Sequence, residues 1–185
     1  MGSVMMWKKP NKRVGYTLME LCVVMAIIII VGGISIPVIQ FMLEDARSTA
    51  ANDMIRGMAA ETRAKAMESG KPWRLAFIAG TGFFQMAPDD STDWESTDQS
   101  VVGTQTLIRD QLPKDIIFSD SAGGSAESSG SAWQTIVVYT YDGSAREDTI
   151  TYFGKAGTPF MAMEVRALTG SVTMRTPAEV KAMQP

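Results

Sequence analysis

From Leu21 to Leu43 no side chain is charged, and apolar groups fall on every face of the helix that this run predicts. At about 1.5 Å per residue the run is roughly 34 Å long, enough to cross a hydrocarbon core of about 30 Å. A buried helix of a soluble core is the alternative, but such a helix rarely stays apolar all round over this length. The pattern then changes from apolar on all faces to apolar on one. Ala51, Met54, Ile55, Met58, Thr62 and Ala66 recur at steps of three and four, while Asp53, Arg56, Glu61, Arg63 and Lys65 lie mostly off that stripe. Gly70 followed by Pro72 stops the helix, so one helix is expected from about Thr17 to Ser69, roughly 80 Å long. A Met-rich stripe of this kind is read as core, not as a ligand site.

After Pro72 the chain consists of short runs rich in aromatic and β-branched residues, separated by Gly, Asp and Ser. Trp73 to Ala79 and Phe83 to Ala87, joined through Gly80-Thr81-Gly82, predict a hairpin. Ile116 to Ser119, Thr135 to Tyr141, Thr149 to Phe153, Phe160 to Ala167 and Val172 to Arg175 are further strand candidates, with turns at Asp142-Gly143 and Thr169-Gly170. Thr176-Pro177-Ala178-Glu179 combines an N-cap, a first-turn proline and a capping-box glutamate, enough for one or two closing helical turns. The expected class is α+β, a long N-terminal helix packed on an antiparallel β domain. No internal repeat is visible.

Charge refines the picture at the N-terminus. Lys8, Lys9, Lys12 and Arg13 precede the apolar run, and no cation lies within it. This places the N-terminus in the cytoplasm and the remainder across the membrane. The order differs from a secretory signal peptide, whose apolar core lies ahead of the cut. Gly2 does not fit a myristoylation site, because Met6 stands where Ser or Thr is needed. Past the span there is one domain's worth of chain, about 140 residues. With 45% hydrophobic and 20% charged residues overall, it can bury a core. Removing the leader's four cations from the 17 Lys and Arg leaves 13 against 20 Asp and Glu, a formal side-chain charge of −7.

Glu20 stands at the edge of the apolar run, where a carboxylate is expensive unless it finds a partner. If the chain is cut after Gly15, Tyr16 supplies a new α-amino group four residues from Glu20, on its own chain or on a neighbour. Snorkelling of Glu20 to the head groups is the alternative.

The basic leader, Gly15, aromatic Tyr16, Thr17-Leu18, Glu20 and the apolar helix together resemble the class III signal of type IV pilins and type II secretion pseudopilins. The resemblance implies that a membrane prepilin peptidase cuts between Gly15 and Tyr16 and methylates the Tyr16 amine. Tyr replaces the usual Phe at this position. Gly32, Gly33 and Pro37 resemble the family's helix-weakening region, where the span loosens as subunits pack into a filament. Physically, proline removes a helical hydrogen bond and glycine lowers helix propensity.

Further along, Glu61-Thr62-Arg63-Ala64-Lys65-Ala66 near the helix end, a strand after Gly70, Asp142-Gly143-Ser144-Ala145, and Leu168-Thr169-Gly170 before the last strand are similar to the GspH/FimT group. That group contains the H-type minor pseudopilin of type II secretion and related minor pilins. Where its members often carry Arg after the Thr-Gly pair, this chain has Ser171, so no role of that Arg carries over.

The inventory of reactive residues is short. Without His there is no His-dependent triad and no His-containing zinc site. The sole cysteine, Cys22, lies inside the span as a small apolar residue and allows no intrachain disulfide. No phosphate-binding glycine loop and no cofactor signature occurs. Pro88 to Ser100 carries Asp89, Asp90, Asp93, Glu95 and Asp98, which calcium could use, but the spacing matches no EF-hand and the segment is read as a solvated acidic loop. Ser119 to Ser131 reads as a Ser/Gly-rich surface loop.

The sequence is thus divided into a basic leader (1–15), a transmembrane and assembly helix (16–43), its amphipathic continuation (44–70) and a periplasmic antiparallel β domain (71–185). The resemblance implies a non-enzymatic minor pseudopilin anchored in the bacterial inner membrane, with its C-terminal domain periplasmic. Its expected partners are prepilin peptidase and other major and minor pseudopilins in a short pseudopilus, with a place near the tip. The reading from another class is a FimT-like minor pilin that binds DNA for uptake. DNA binding wants Lys and Arg gathered on one surface, whereas Arg166, Arg175 and Lys181 alternate with Glu164 and Glu179 on an acidic chain. Nucleic acid is therefore not expected as a partner.

Overall fold

The computed structural model describes residues 15–92, 94, 107–122 and 132–183. Most of the leader therefore lies outside the described residues, as do Asp93, Glu95 and Asp98 of the acidic segment and residues 123–131 of the Ser/Gly-rich one. The chain divides into two compact units, Met1–Leu43 and Glu44–Pro185.

Helix α1 runs from Leu18 to Ser69. Its start is fixed by Thr17, whose Oγ1 accepts the Glu20 N–H at 3.2 Å, an N-cap that satisfies one of the orphan donors of the first turn. Its end is fixed by Gly70, whose φ of +66° is the left-handed conformation that closes helices. The part of α1 in the first unit is apolar and uncovered, with Ile27, Ile30 and Phe41 all exposed. It is long and apolar enough to cross a membrane.

In the second unit the predicted stripe is the buried face. Ala51, Ile55, Met58, Thr62 and Ala66 are buried, joined by Ala59, while Asp53, Arg56 and Glu61 are exposed. Thr62 is a polar residue on an apolar face, and it donates its hydroxyl to the Met58 carbonyl at 2.7 Å, so it costs no unpaired group.

Among the described residues eight strands follow: β1 (Trp73–Phe77), β2 (Phe83–Pro88), β3 (Ile108–Gln111), β4 (Ile116–Ser119), β5 (Gln134–Tyr139), β6 (Thr149–Lys155), β7 (Met161–Val165) and β8 (Val172–Arg175), then a short helix α2 (Pro177–Ala182). They form two four-stranded sheets, ordered β3-β2-β1-β5 and β4-β6-β7-β8, and every pairing is antiparallel. The expected α+β class is what the fold has. The β1–β2 hairpin pairs Trp73 with Pro88 and Phe77 with Phe84. Its Gly80 N–H donates to the Phe118 carbonyl at 2.9 Å, and the Phe118 N–H donates to the Thr81 carbonyl at 2.8 Å. This stitches the hairpin turn to the edge of the second sheet.

One core joins both sheets to the helix. Leu75, Phe77, Phe84 and Met86 of the first sheet and Phe118, Phe153, Met163 and Val165 of the second are buried with Ala51, Ile55 and Ala66. At its centre the Phe118 ring lies 5.0 Å from Phe77, 5.8 Å from Phe84 and 6.4 Å from Phe153, centroid to centroid.

Strand limits shift where local chemistry intervenes. The strand expected to reach Tyr141 ends at Tyr139, because the Asp142 carboxylate draws the chain into a turn, accepting from Thr140 Oγ1 at 2.6 Å, Ser144 N–H at 2.9 Å and Ser144 Oγ at 2.7 Å. Strand β6 continues past Phe153, since Gly154 and Lys155 still pair with Ile117 and Ile116. The strand expected from Phe160 to Ala167 covers only Met161–Val165. The closing helix has both halves of the capping box, with Glu179 N–H donating to Thr176 Oγ1 and Thr176 N–H donating to Glu179 Oε2.

The three bonds hold the Asp142 carboxyl at a pKa of about 2, below its ordinary 3.8. A carboxylate whose pKa is depressed on folding adds stability above its unfolded pKa and loses it as pH falls through the folded one. Thermal melting as a function of pH should therefore show a decline between about pH 4 and pH 2 that is shallower in Asp142→Asn. Superimposable pH profiles would show that the turn does not depend on the charge.

The start of the acidic segment is not a solvated loop. Asp89 accepts from Arg74 Nε at 2.9 Å and Arg146 Nη2 at 2.8 Å, and Asp90 faces Lys71 at 3.7 Å. Burial raises the Asp89 pKa, but the hydrogen bonds from Arg146 and Arg74 outweigh it, so the carboxyl sits below its usual value. Next in the segment, Trp94 packs with Leu107 on Ala76 and Ala87, on the sheet face opposite the main core. The small alanines leave room for the indole, and the Arg74 guanidinium lies 4.4 Å from its ring centroid. Gln85, fully buried between these groups, donates to the Trp94 carbonyl and accepts from both Nε and Nη2 of Arg109.

Candidate functional site

The residues singled out in the sequence lie at the start of α1 and along its first unit. Gly15, Tyr16 and Thr17 precede the helix in irregular backbone, and Tyr16 is exposed. A Cβ at Gly15 would meet nothing within 4 Å. An exposed, non-helical peptide beside a small residue is the kind of segment a protease can enter.

Glu20 occupies the third position of α1, in the first turn, where the partial positive charge of the helix end favours a carboxylate. Thr17-Leu18-Met19-Glu20 also has the spacing of a capping box, a local role that the sequence reading did not weigh. One half of that box is present, the bond from the Glu20 N–H to Thr17 Oγ1. The Glu20 side chain is exposed and enters no ion pair among the described residues. Glu20 and Thr17 share a shallow surface with Met19, Val23 and Val24.

Gly32, Gly33 and Pro37 lie within the continuous α1. A Cβ at either glycine would meet no atom within 4 Å. Ser35 Oγ donates to the Val31 carbonyl at 2.8 Å, one turn back. Pro37 has no N–H to offer the carbonyl four residues earlier, which is that of Gly33. The weakest hydrogen bonding and the weakest helix propensity in the span thus coincide at one turn. Cys22, on the same helix, is exposed.

In the second unit the sequence signals give little reactive chemistry. Among the described residues no group of three or more His, Cys, Asp or Glu could hold a metal ion. The cations weighed for nucleic acid are partly committed to carboxylates. Arg175 places Nε and Nη2 at 3.0 and 2.7 Å from Glu164 Oε2, and Arg166 Nε lies 3.0 Å from Glu164 Oε1. Two further pairs join the beginning of the amphipathic helix to the β domain, Arg47 with Asp115 in the turn before β4 at 3.0 Å and Glu44 with Lys155 of β6. Linear sequence gave no signal for these pairs, whose members lie 68 and 111 residues apart.

No protein-family model matches the chain, and no curated protein does. Two solved structures of the minor pseudopilin EpsH from the type 2 secretion system of Vibrio cholerae are similar to it. One aligns over 71% of this chain and 98% of its own length at 11% identity, with a TM-score of 0.48. The other aligns over 73% and 96% at 13% identity, with a TM-score of 0.46.

Proposed function

We propose that this chain is a minor pseudopilin of a type II secretion pseudopilus, an assembly subunit and not an enzyme. The observation that carries the reading is one helix with two different surfaces. Its first unit is apolar, uncovered and led by Glu20, and its second unit is one wall of the core of a β domain. An apolar face of that size needs lipid before assembly and other helices after it. On this reading the leader is cytoplasmic, the span sits in the inner membrane, the β domain is periplasmic, and the subunit joins other pseudopilins near the filament tip. Prepilin peptidase cuts between Gly15 and Tyr16, Glu20 pairs with the N-terminal amine of a neighbour, and Gly32, Gly33 and Pro37 let the span loosen on assembly. A DNA-uptake pilin has less support, because Arg166 and Arg175 share one carboxylate.

Intact-mass analysis of membrane-extracted protein is expected to show loss of Met1 to Gly15 and one methyl group on the Tyr16 amine. A mature chain starting beyond the apolar run would overturn the pseudopilin reading. Glu20→Ala should leave insertion and cleavage intact and reduce filament incorporation by at least about tenfold, the scale of one charge-assisted pair in apolar surroundings. Wild-type cross-linking of Glu20→Ala to other subunits would show that the pair is dispensable.

A further inference from the structure

On the outer side of the amphipathic helix, Arg56, Ala60, Arg63 and Met67 follow one another at helical spacing and form one wall of a cleft of about 330 Å³. Tyr139 from β5, Gly170 and Ser171 of the turn before β8, and Val172 at the start of β8 complete it. The site is built from donors. Arg56 is exposed and has no ion-pair partner among the described residues. Arg63 spends Nη2 on the Thr169 carbonyl at 2.9 Å, a neutral acceptor, and its Nε is buried without a partner. The Tyr139 hydroxyl is likewise buried without a partner, on a residue with no exposed surface. Burial pushes that phenol up to about 12, so it stays protonated and can donate. Among the described residues no carboxylate lines the cleft.

The walls are held in place. The Gly170 N–H donates to the Arg166 carbonyl at 2.8 Å, and the Arg166 N–H donates to the Ser171 carbonyl at 3.0 Å. The opposing turn is closed by the Gly143 N–H to the Thr140 carbonyl at 2.9 Å and by the Asp142 bonds. These two turns leave Leu168 90% and Tyr141 67% exposed, and Met67 is 47% exposed beside them. Two guanidiniums, one of them with a buried unpaired Nε, a buried unpaired phenol and an apolar margin therefore occur together on a chain whose net charge is −3.

We propose that this cleft is a carboxylate-binding site that takes an Asp or Glu side chain presented on an apolar segment of a neighbouring subunit. A carboxylate is acceptor-only and can accept two parallel bonds from one guanidinium. A buried donor left unpaired is costly, and an incoming acceptor relieves that cost only in the bound state. The apolar margin favours a protein carrier over a polyanion, since a nucleic acid would want cations spread along its backbone. The inference rests on the assembly reading, because it needs a neighbouring subunit.

The test uses the full-length chain in membranes of the producing organism. Arg56→Lys puts a primary amine at the cleft, and a carbodiimide then joins that amine directly to any carboxylate it touches. The expected product is a peptide bridging position 56 to an Asp or Glu of another pilin-like subunit, at least about tenfold above the wild-type level. Coupling only within the chain, or to no protein, would overturn the site. Tyr139→Phe provides the second arm, because it removes only the hydroxyl. The free protein should melt at or above the wild-type temperature, while retention of the neighbouring subunit on detergent pull-down falls several-fold. A lowered melting temperature with unchanged retention would make the hydroxyl structural and overturn the proposal. Salt-sensitive DNA binding lost in Arg56→Glu would overturn it in favour of phosphate. If the wild-type chain retains no pilin-like subunit at all, the assembly reading itself fails; if it does and Arg56→Glu retains as much, only this inference fails.

Discussion

Phe118→Ala is expected to destabilise the β domain by about 3–5 kcal/mol, a large share of the roughly 5–15 kcal/mol that holds an ordinary domain together. The ring is fully buried and touches Phe77 and Phe84 of the first sheet and Phe153 of the second. Its removal leaves a cavity between layers that cannot easily collapse, because the Phe118 backbone is bonded to Gly80 and Thr81 across the sheets. Denaturant unfolding of the detergent-solubilised full chain, followed by tryptophan fluorescence, should show a large fall in midpoint. Leu168→Ala is the contrast, since Leu168 is 90% exposed and its loss should change stability by less than about 0.5 kcal/mol. Equal midpoints for the two variants would mean that the aromatic cluster is not the joint between the sheets.

The sequence was most legible where a single element carries its own signal. The stripe from Ala51 to Ala66 identified the buried face of α1, because helical period and burial are the same pattern. Gly80-Thr81-Gly82 identified the hairpin and Thr176 to Glu179 the capping box, because turn and cap chemistry act over three or four residues. Strand β3 went unseen for the opposite reason. Ile108-Arg109-Asp110-Gln111 has no alternation, lies at a sheet edge and is partly exposed, so its structure comes from pairing with Phe83–Met86.

Charges were the other blind spot, since their meaning depends on neighbours far away in the chain. Asp89 looked solvated because Arg146 is 57 residues on. Glu164 stood near Arg166 and Arg175 in the sequence, but that both arginines share its carboxylate became visible only once β7 and β8 were paired. The cleft of Arg56, Arg63 and Tyr139 has the same character. Helical spacing aligned the two arginines, but only the β5 register put the phenol beside them. At the N-terminus the motif was legible as an ordered string, Gly15, Tyr16, Thr17 and Glu20, and the half-formed capping box could have been read from Thr17 and Glu20 of that string.

Gly170→Ala should cost more than about 3 kcal/mol, where Gly157→Ala should cost about 1–2 kcal/mol. Both glycines have positive φ, +59° and +81°, so each alanine carries the left-handed penalty. Only one of them also meets a neighbour. A Cβ at Gly157 faces open space, whereas a Cβ at Gly170 would lie 2.2 Å from the Gly143 carbonyl oxygen and 3.3 Å from Tyr139 Cε1. The turn at Gly143 is itself fixed, by the Gly143 N–H to the Thr140 carbonyl and by the Asp142 carboxylate that accepts from Thr140 and Ser144. The β7–β8 turn must therefore draw back from the Gly143 turn and take Ser171 and Val172 with it, reshaping the cleft that Arg56 and Arg63 line. Denaturant midpoints of the two variants measure the difference, and retention of the neighbouring subunit by Gly170→Ala measures its consequence. If Gly170→Ala unfolds at the same midpoint as Gly157→Ala, the two turns are not packed backbone to backbone, and the cleft lacks the rigid wall that a carboxylate site requires.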